Sequence, residues 1–388
     1  MKKALILGGS NGIGLAVSKK LVEKGYYLEI CSRTQPDEKY LASDCYHFNY
    51  CNLLDFDETL FSLLADDTDI EVLFISAGIG RVADFGSHHI AEIHNIITVD
   101  ALSIIKVLNI FYKRICSNDI FFTGVMGSIS GWMVSPAASV YSAAKASIVR
   151  FIESVNIELE VLGTDNRILD VSPGFFGGSK FYGGENDLTQ TLPLASEILN
   201  HLFCKDTIFI PQYEDTYKDV LESYHDNPHE YGLSSYRYKV NSGRFDNEKK
   251  VKIGYLSGTF DLFHVGHLNL LRKAKQRCDY LIVGVHDSGK WKGKDTFIPL
   301  EERKQIVAAC KYVDKVVDSC REDSDAWYLW HYDYLFVGSD YKGSERFNRY
   351  EEFFKDKGVK IIYFQYTQGT SSTQIRSMIS DSTKEINK

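Results

Sequence analysis

No Cys-x-x-Cys pair occurs in this chain; its eight cysteines, at positions 31, 45, 51, 116, 204, 278, 310 and 320, are scattered. Such spacing suggests neither a zinc site nor a disulfide framework, and reduced thiols of the cytoplasmic kind are expected. Nor is there an excess of base. Lys and Arg number 44 against 52 Asp and Glu, a net charge of -8. That balance argues against a nucleic-acid partner, because binding a phosphate backbone needs a surplus of Lys and Arg on some face. A local basic pocket for a small anion stays open. No apolar run reads as long enough to span a bilayer, and the apolar residues after the opening MKK are broken by Gly8 and Gly9. Neither membrane insertion nor a leader is therefore expected. Internal repeats and low-complexity tracts are also missing. What is left, 388 residues with 44% hydrophobic and 25% charged, is an ordinary folded composition with chain enough for two domains.

Short apolar, β-rich runs alternate with helical periodicity from residue 4 onward: ALIL, an amphipathic segment over 13–24, YYLEICS, VLFISAG, DIFFTG and RILDVSPG. Strands alternating with helices imply a parallel sheet covered on both faces, an α/β doubly wound fold. The character changes over 211–250, which is polar and rich in tyrosine. Part of it reads as a helix finishing the first domain, and NSGRFDNEKK is the best linker. Afterwards the alternation restarts with VKIGYLS, a helix over 265–277, DYLIVGVH, a helix over 300–311, KVVDS, YDYLFVGSD, a helix over 345–357 and VKIIYFQ. The expectation is two Rossmann-like domains, 1–245 and 250–388.

In ALILGGSNGIG a strand runs into Gly8, Gly12 and Gly14 and then into a helix. Glycines let backbone N–H groups, here those around Ser10, Asn11 and Ile13, approach a pyrophosphate at a helix N-terminus. A glycine turn alone is weak; its company is specific. SAG at 76–78 places Ala77 and Gly78 after another strand, and GSISGWMVSPAASVYSAAKAS carries Ser128, Tyr141 and Lys145. Tyr-x-x-x-Lys sets a phenol and an ammonium one turn apart on one helix face. The ammonium is expected to lower the phenol's pKa, so that Tyr141 exchanges a proton with a carbonyl or hydroxyl while Ser128 hydrogen-bonds the same oxygen.

These residues, with SPG at 172–174 supplying Pro173 and Gly174, resemble the short-chain dehydrogenase/reductase family over residues 1 to about 240. The resemblance implies Tyr141 as general acid/base, Ser128 polarising the substrate oxygen, and Lys145 binding the nicotinamide ribose while tuning the tyrosine. Two departures stand out. TVDALS puts Asp100 where the family has an asparagine, and CNL offers Asn52 near the adenine where an aspartate is usual. At the end of the second strand, EICSRT has no acid to bind a ribose 2'-hydroxyl. Ser32 and Arg33 suit a 2'-phosphate instead, so NADPH is expected over NADH, unless Arg33 is simply a solvated loop charge.

The second half opens with GTFDLFHVGH, containing Gly258, Thr259, Phe260, His264 and His267. Both histidines sit at the first turn of a helix, where imidazoles and N–H donors can converge on an anion. A zinc reading lacks third and fourth ligands nearby. Lys292 and Lys294 follow in KWKGK and Arg303 in PLEERK. Ser371, Ser372 and Thr373 in TQGTSSTQI form a second anion cradle or a simple helix cap. Together they describe a site that stabilises a triphosphate while a phosphate oxygen attacks the α-phosphorus.

With KYVDKVV, VGSDYKG and QGTSST, residues 251 to about 380 resemble the cytidylyltransferase family, most closely the glycerol-3-phosphate cytidylyltransferase type. The resemblance implies CTP, a divalent ion such as Mg2+, release of pyrophosphate and a CDP-linked product. Adenylyltransferases share the His-x-x-His device, so ATP stays open. Tyr366 stands where the family has an arginine, with Arg376 nearby in sequence. Taken together, the halves imply a bifunctional enzyme, assembled as a homo-oligomer, that makes a CDP-alditol. A sugar phosphate is reduced with NADPH and its alcohol then receives a cytidylyl group, as in the synthesis of capsule or teichoic-acid-like polymers. Two alternatives are a nucleotidyltransferase with a dinucleotide-sensing domain and a fusion of unrelated enzymes.

Overall fold

The computed structural model describes residues 2–179, 181, 185–245, 251–287, 296–365 and 375. Two compact units divide the chain, Met1–Lys249 and Lys250–Lys388.

In the first unit the elements run β1 (Lys3–Leu7), α1 (Gly12–Glu23), β2 (Tyr27–Ser32), β3 (Tyr46–Tyr50), α2 (Glu58–Asp66), β4 (Ile70–Ile75), α3 (Ile90–Ile97), α4 (Ser103–Ile110), α5 (Tyr112–Ile115), β5 (Phe122–Met126), α6 (Ser139–Leu162), β6 (Ile168–Val171), α7 (Leu188–Phe203), β7 (Ile208–Phe209), α8 (Lys218–Asp226) and α9 (Pro228–Asn241). The strands pair in parallel in the order β3-β2-β1-β4-β5-β6-β7. Winding goes outward from β1 through β3 and then returns to β4 on the other side of β1. The carboxyl ends of β1 and β4 therefore flank a crevice at the switch point.

Period-two alternation divides the sheet's side chains between two cores. Leu5, Leu7, Leu73 and Ile75 face α4 and α6 through Ile104, Val107, Ile148 and Ile152. Ala4, Ile6, Val72 and Phe74 face α1 and α7 through Leu15, Leu21, Ile198 and Leu202. Each such fully buried Leu or Ile contributes roughly 1.5–3 kcal/mol from water exclusion alone. This double burial is why the central strands read as continuous apolar runs.

One expectation fails here. Ile90–Ile110 forms a continuous 21-residue helical stretch, α3 and α4 joined by a π turn over Thr98–Leu102, and by length and composition it is apolar enough to cross a membrane. Here Ile96, Val99, Ile104, Val107 and Leu108 pack into the sheet core. The region expected to finish the domain forms α8 and α9, and α9 runs into the first residue of the expected linker, Asn241.

The second unit comprises β8 (Ile253–Gly258), α10 (Val265–Lys275), β9 (Tyr280–Val285), α11 (Leu300–Ala308), β10 (Lys315–Asp318), α12 (Asp323–Trp330), β11 (Tyr334–Gly338), α13 (Glu345–Phe354) and β12 (Lys360–Phe364). Its strands are also parallel, in the order β10-β9-β8-β11-β12. Leu256, Leu281, Val283 and Phe336 on the strands meet Leu271 and Ala274 of α10 and Val307 of α11. Both units are thus parallel-sheet α/β domains. All eight cysteines are free thiols.

Candidate active sites

The glycine turn after β1 is shaped by close approach. Gly8 has φ of +86°, and a Cβ on it would lie 2.7 Å from the backbone nitrogen of Ala77; a Cβ on Gly14 would collide with the Gly8 carbonyl oxygen. These positions admit nothing larger than hydrogen. Around the turn opens a cleft of about 740 Å³, lined by Gly8, Ser10, Asn11, Gly12 and Ile13 from the turn, and by Ser32, Arg33 and Asn52 from the ends of β2 and β3. Ala77 and Gly78 line it from the end of β4, with Ser128, Tyr141, Lys145, Pro173 and Gly174 on the remaining wall. Gly14 supports the turn from behind.

The residues present fit a dinucleotide. The Gly12 N–H at the mouth of α1 donates to the Asn186 side-chain oxygen at 2.9 Å, so an oxygen already stands where a phosphate oxygen would be accepted. The Asn186 amide returns a bond to Asn11 at 3.1 Å, and the Tyr40 hydroxyl donates to its backbone oxygen at 3.0 Å. At the far end Arg33 is exposed, while the Ser32 hydroxyl donates to the Thr34 carbonyl at 2.6 Å. The Asn52 side-chain oxygen is occupied by the Leu54 N–H at 3.2 Å, leaving its amide hydrogens for a base.

Lys145 has two partners that its spacing from Tyr141 does not reveal. Its ammonium donates to the Met126 carbonyl at 2.8 Å and sits 3.3 Å from a carboxylate oxygen of Asp100, which is 0% exposed. The carboxylate also accepts the Ile79 N–H at 3.1 Å. Burial pushes the Asp100 carboxyl up to about 6 in spite of Lys145. The expected acidification of the phenol is corrected accordingly. Burial first, and then the charge of Asp100, raise Tyr141 above the usual phenol value, with a hydrogen bond to Ser128 pulling the other way. Ser128 itself is buried, and its hydroxyl accepts the Ser130 N–H at 3.2 Å. The site thus holds Tyr141 as a proton-bearing phenol, a form suited to donating to a carbonyl oxygen. A second buried acid lay outside the sequence reading. Burial pushes Asp170 of β6 to about 6, and one of its oxygens has no hydrogen-bond partner. No periodicity distinguishes it from the apolar strand around it.

In the second unit, GTFDLFHVGH forms a tight turn in which Phe260 and Leu262 adopt φ of +52° and +51°. Left-handed backbone at two non-glycine residues costs of order 1 kcal/mol or more each. Buried Asp261 braces the turn by accepting the Phe297 and Ile298 N–H groups at 3.1 and 3.0 Å. His264 caps α10, its Nδ1 accepting the Gly266 N–H at 3.0 Å, while His267 Nδ1 accepts the His264 N–H at 3.4 Å. The rings stack with centroids 4.1 Å apart. Burial lowers His264 and, with His264 as its neighbour, holds His267 at about 4. Both imidazoles are therefore neutral at pH 7, and with Nδ1 accepting, the proton lies on Nε2. The pair offers N–H donors at a helix N-terminus rather than positive charge.

Arg303 is the clearest correction. Expected on the triphosphate, it is 0% exposed, and its guanidinium is spent on backbone carbonyls of Ile298, Thr259, His286 and Asp287 at 2.8, 2.5, 2.8 and 2.9 Å. It braces the turn through Thr259, next to Gly258 and Phe260. Lys292, Lys294, Ser371, Ser372 and Thr373, together with Tyr366 and Arg376, lie outside the described residues. Among the described residues no three His, Cys, Asp or Glu side chains group as metal ligands.

Residues 2–182 match the family model described as short chain dehydrogenase, and residues 255–378 the one described as cytidylyltransferase-like. The glycerol-3-phosphate cytidylyltransferase of Staphylococcus aureus is 33% identical over 123 residues, covering 31% of this chain and 88% of the relative. That of Bacillus subtilis is 33% identical over 126 residues, covering 31% and 92%. A solved short-chain dehydrogenase from Sphingobium yanoikuyae in complex with NADPH overlays 58% of this chain and 96% of its own, at 18% identity and a TM-score of 0.48.

Proposed function

Because the chain belongs to the cytidylyltransferase-like family through residues 255–378 and carries a short chain dehydrogenase match over residues 2–182, we propose that it makes a CDP-alditol in two steps. In the first, a sugar phosphate carbonyl is reduced; in the second, the resulting alditol phosphate is cytidylylated. The observation that carries this reading is the gathering of Ser128, Tyr141 and Lys145 on one cleft wall opposite the glycine turn, in a chain that also bears the paired histidines.

Bound NADPH supplies the hydride to the carbonyl carbon. Tyr141 passes its hydroxyl proton to the carbonyl oxygen, Ser128 holds that oxygen, and Lys145 with Asp100 fixes the helix face on which Tyr141 stands. Arg33 and Ser32 favour a dinucleotide carrying a 2'-phosphate. In the second unit an oxygen of the alditol phosphate attacks the α-phosphorus of CTP and pyrophosphate leaves. Neutral His264 and His267 donate to phosphate oxygens as charge moves onto the leaving group. Lys292, Lys294, Ser371, Ser372 and Thr373 are assigned to the same triphosphate.

The substrate we favour is a pentulose 5-phosphate, ribulose or xylulose 5-phosphate, giving ribitol or arabinitol 5-phosphate and a precursor of capsule or teichoic-acid-like polymers. The relatives' acceptor, glycerol 3-phosphate, supports a shorter competitor, made from a triose phosphate. The test supplies the full chain with NADPH, CTP, Mg2+ and a panel of C3 to C6 sugar phosphates, with mass detection of CDP conjugates. Tyr141→Phe should abolish reduction and spare transfer of a supplied alditol phosphate; His267→Ala should do the reverse. One variant abolishing both reactions in a folded protein refutes separate sites.

A further inference from the structure

Among the described residues, the cations lining the reductase cleft are Arg33 and Lys145. Arg33 stands at the end of β2, by the dinucleotide's far end, and Lys145 is committed to Asp100 and the Met126 carbonyl. Neither is placed for the phosphate of a substrate whose carbonyl lies at Tyr141. Two other cations, on α9 and just after it, lie outside that lining but hold segments that adjoin it. The Lys239 ammonium donates to the Ser135 hydroxyl at 2.6 Å and the Pro136 carbonyl at 2.7 Å. Those residues lead directly into α6, whose first turn carries Tyr141. Arg244 lies 3.9 Å over the ring of Phe175, the residue after Gly174, and donates to the Tyr238 hydroxyl at 3.3 Å. The Tyr217 side chain fills the space beside Gly174.

We propose that Lys239 and Arg244 form the subsite that holds the phosphate group of the reductase substrate; this rests on the sugar phosphate reading given above. Three features support it. Neither cation has a carboxylate partner among the described residues, although acids outnumber bases in the chain. The two are close enough to repel: burial, and then the charge of Arg244, hold the Lys239 ammonium down at about 8. A dianion bound beside both removes that repulsion and converts it to attraction, with charge-assisted hydrogen bonds from a guanidinium fork and an ammonium. Finally, one cation rests on the loop before Tyr141 and the other on the loop after Gly174. A phosphate held there leaves the rest of a short sugar chain to reach Ser128 and Tyr141.

The competing role is a tether, since Lys239 ties α9 to the loop before α6. Another residue of α9 serves as a control: the Tyr236 hydroxyl donates to Asp84 at 2.9 Å. In the full chain, Lys239→Gln, Arg244→Gln, the double variant and Tyr236→Phe are compared for reduction of a phosphorylated carbonyl sugar and of its unphosphorylated counterpart, with inorganic phosphate as inhibitor. Each cation removed should raise KM for the phosphorylated substrate on the order of tenfold or more, as expected for losing a hydrogen bond to a charged group. In the double variant the preference for the phosphorylated substrate should collapse, and inhibition by inorganic phosphate should vanish. Tyr236→Phe should keep both. Equal losses on the two substrates, or phosphate inhibition that persists in the double variant, overturn the subsite. If the wild type reduces no phosphorylated carbonyl, the parent reading fails by itself, and calorimetric titration with inorganic phosphate decides the rest. One binding site lost between wild type and double variant sustains the subsite; identical isotherms end it.

Discussion

Replacing Asp100 by asparagine, Asp100→Asn, restores the side chain that the family resemblance leads one to expect and tests the electrostatics of the reductase cleft. Lys145 lies 3.3 Å from the carboxylate, a gross attraction of about 5 kcal/mol at an effective dielectric constant of about 20. Even so, burial raises Asp100 from 3.8 to about 6, so desolvation outweighs the pair. Two pKa units correspond to about 3 kcal/mol. The sign follows from the raised value. This group's contribution to stability is fully present below pH about 4 and is lost as the pH rises through about 6. In the variant that loss disappears, so variant stability minus wild-type stability should rise by about 2 kcal/mol from pH 4.5 to pH 8, the first part of the total having been lost below pH 4.5. Loss of the Lys145 partner shifts the whole curve but not its slope. Asp170 titrates over the same range in both proteins and largely cancels, apart from its shared coupling to Lys145. Chemical unfolding followed by fluorescence across that range measures the slope. The same substitution removes a charge that raises Tyr141, so the pH limb of alcohol oxidation should move to lower pH. A stability difference independent of pH, or an oxidation limb moving upward, would refute this account of the buried pair.

Two more substitutions address single residues. Arg33→Ala should raise KM for NADPH roughly tenfold to a hundredfold while leaving NADH nearly as before; steady-state kinetics with both dinucleotides checks it, and equal losses return Arg33 to the solvent. Arg303→Met orphans backbone carbonyls at Thr259, His286, Asp287 and Ile298 and should cost several kcal/mol in the second unit, seen as an earlier melting step with reduction preserved. Normal melting with a raised KM for CTP would instead put the guanidinium back on the nucleotide.

The alternation of apolar runs and helical periods made both parallel sheets legible, because double burial leaves a strand with little choice but Val, Ile, Leu and Phe. β3, YHFNY, escaped this reading: it is the edge of its sheet, and His47 and Asn49 on one face bind Glu29 rather than a core. Glycines at the first turn were readable because backbone approach excludes every other residue there. Partnerships were harder to read. Spacing put Tyr141 and Lys145 on one face, yet could not disclose that Asp100, a turn of π helix in another element, claims the ammonium. Arg303 shows the same limit. A guanidinium near a phosphate motif and a guanidinium clamping four carbonyls are one letter in sequence, and long-range burial alone distinguishes them. A helix was legible within 211–250 but the bounds of α9 were not, because it is polar nearly all round, its buried member being Gly232.

Asn186 carries a consequence for how the enzyme meets its cofactor. By accepting the Gly12 N–H and bonding Asn11, it sets a side-chain oxygen at the turn in the manner of an anion. A pyrophosphate bound at this turn, as proposed, would have to displace that amide, and part of its intrinsic affinity would be spent on the exchange. Such competition makes occupancy respond to dinucleotide concentration at a higher threshold than a vacant turn would.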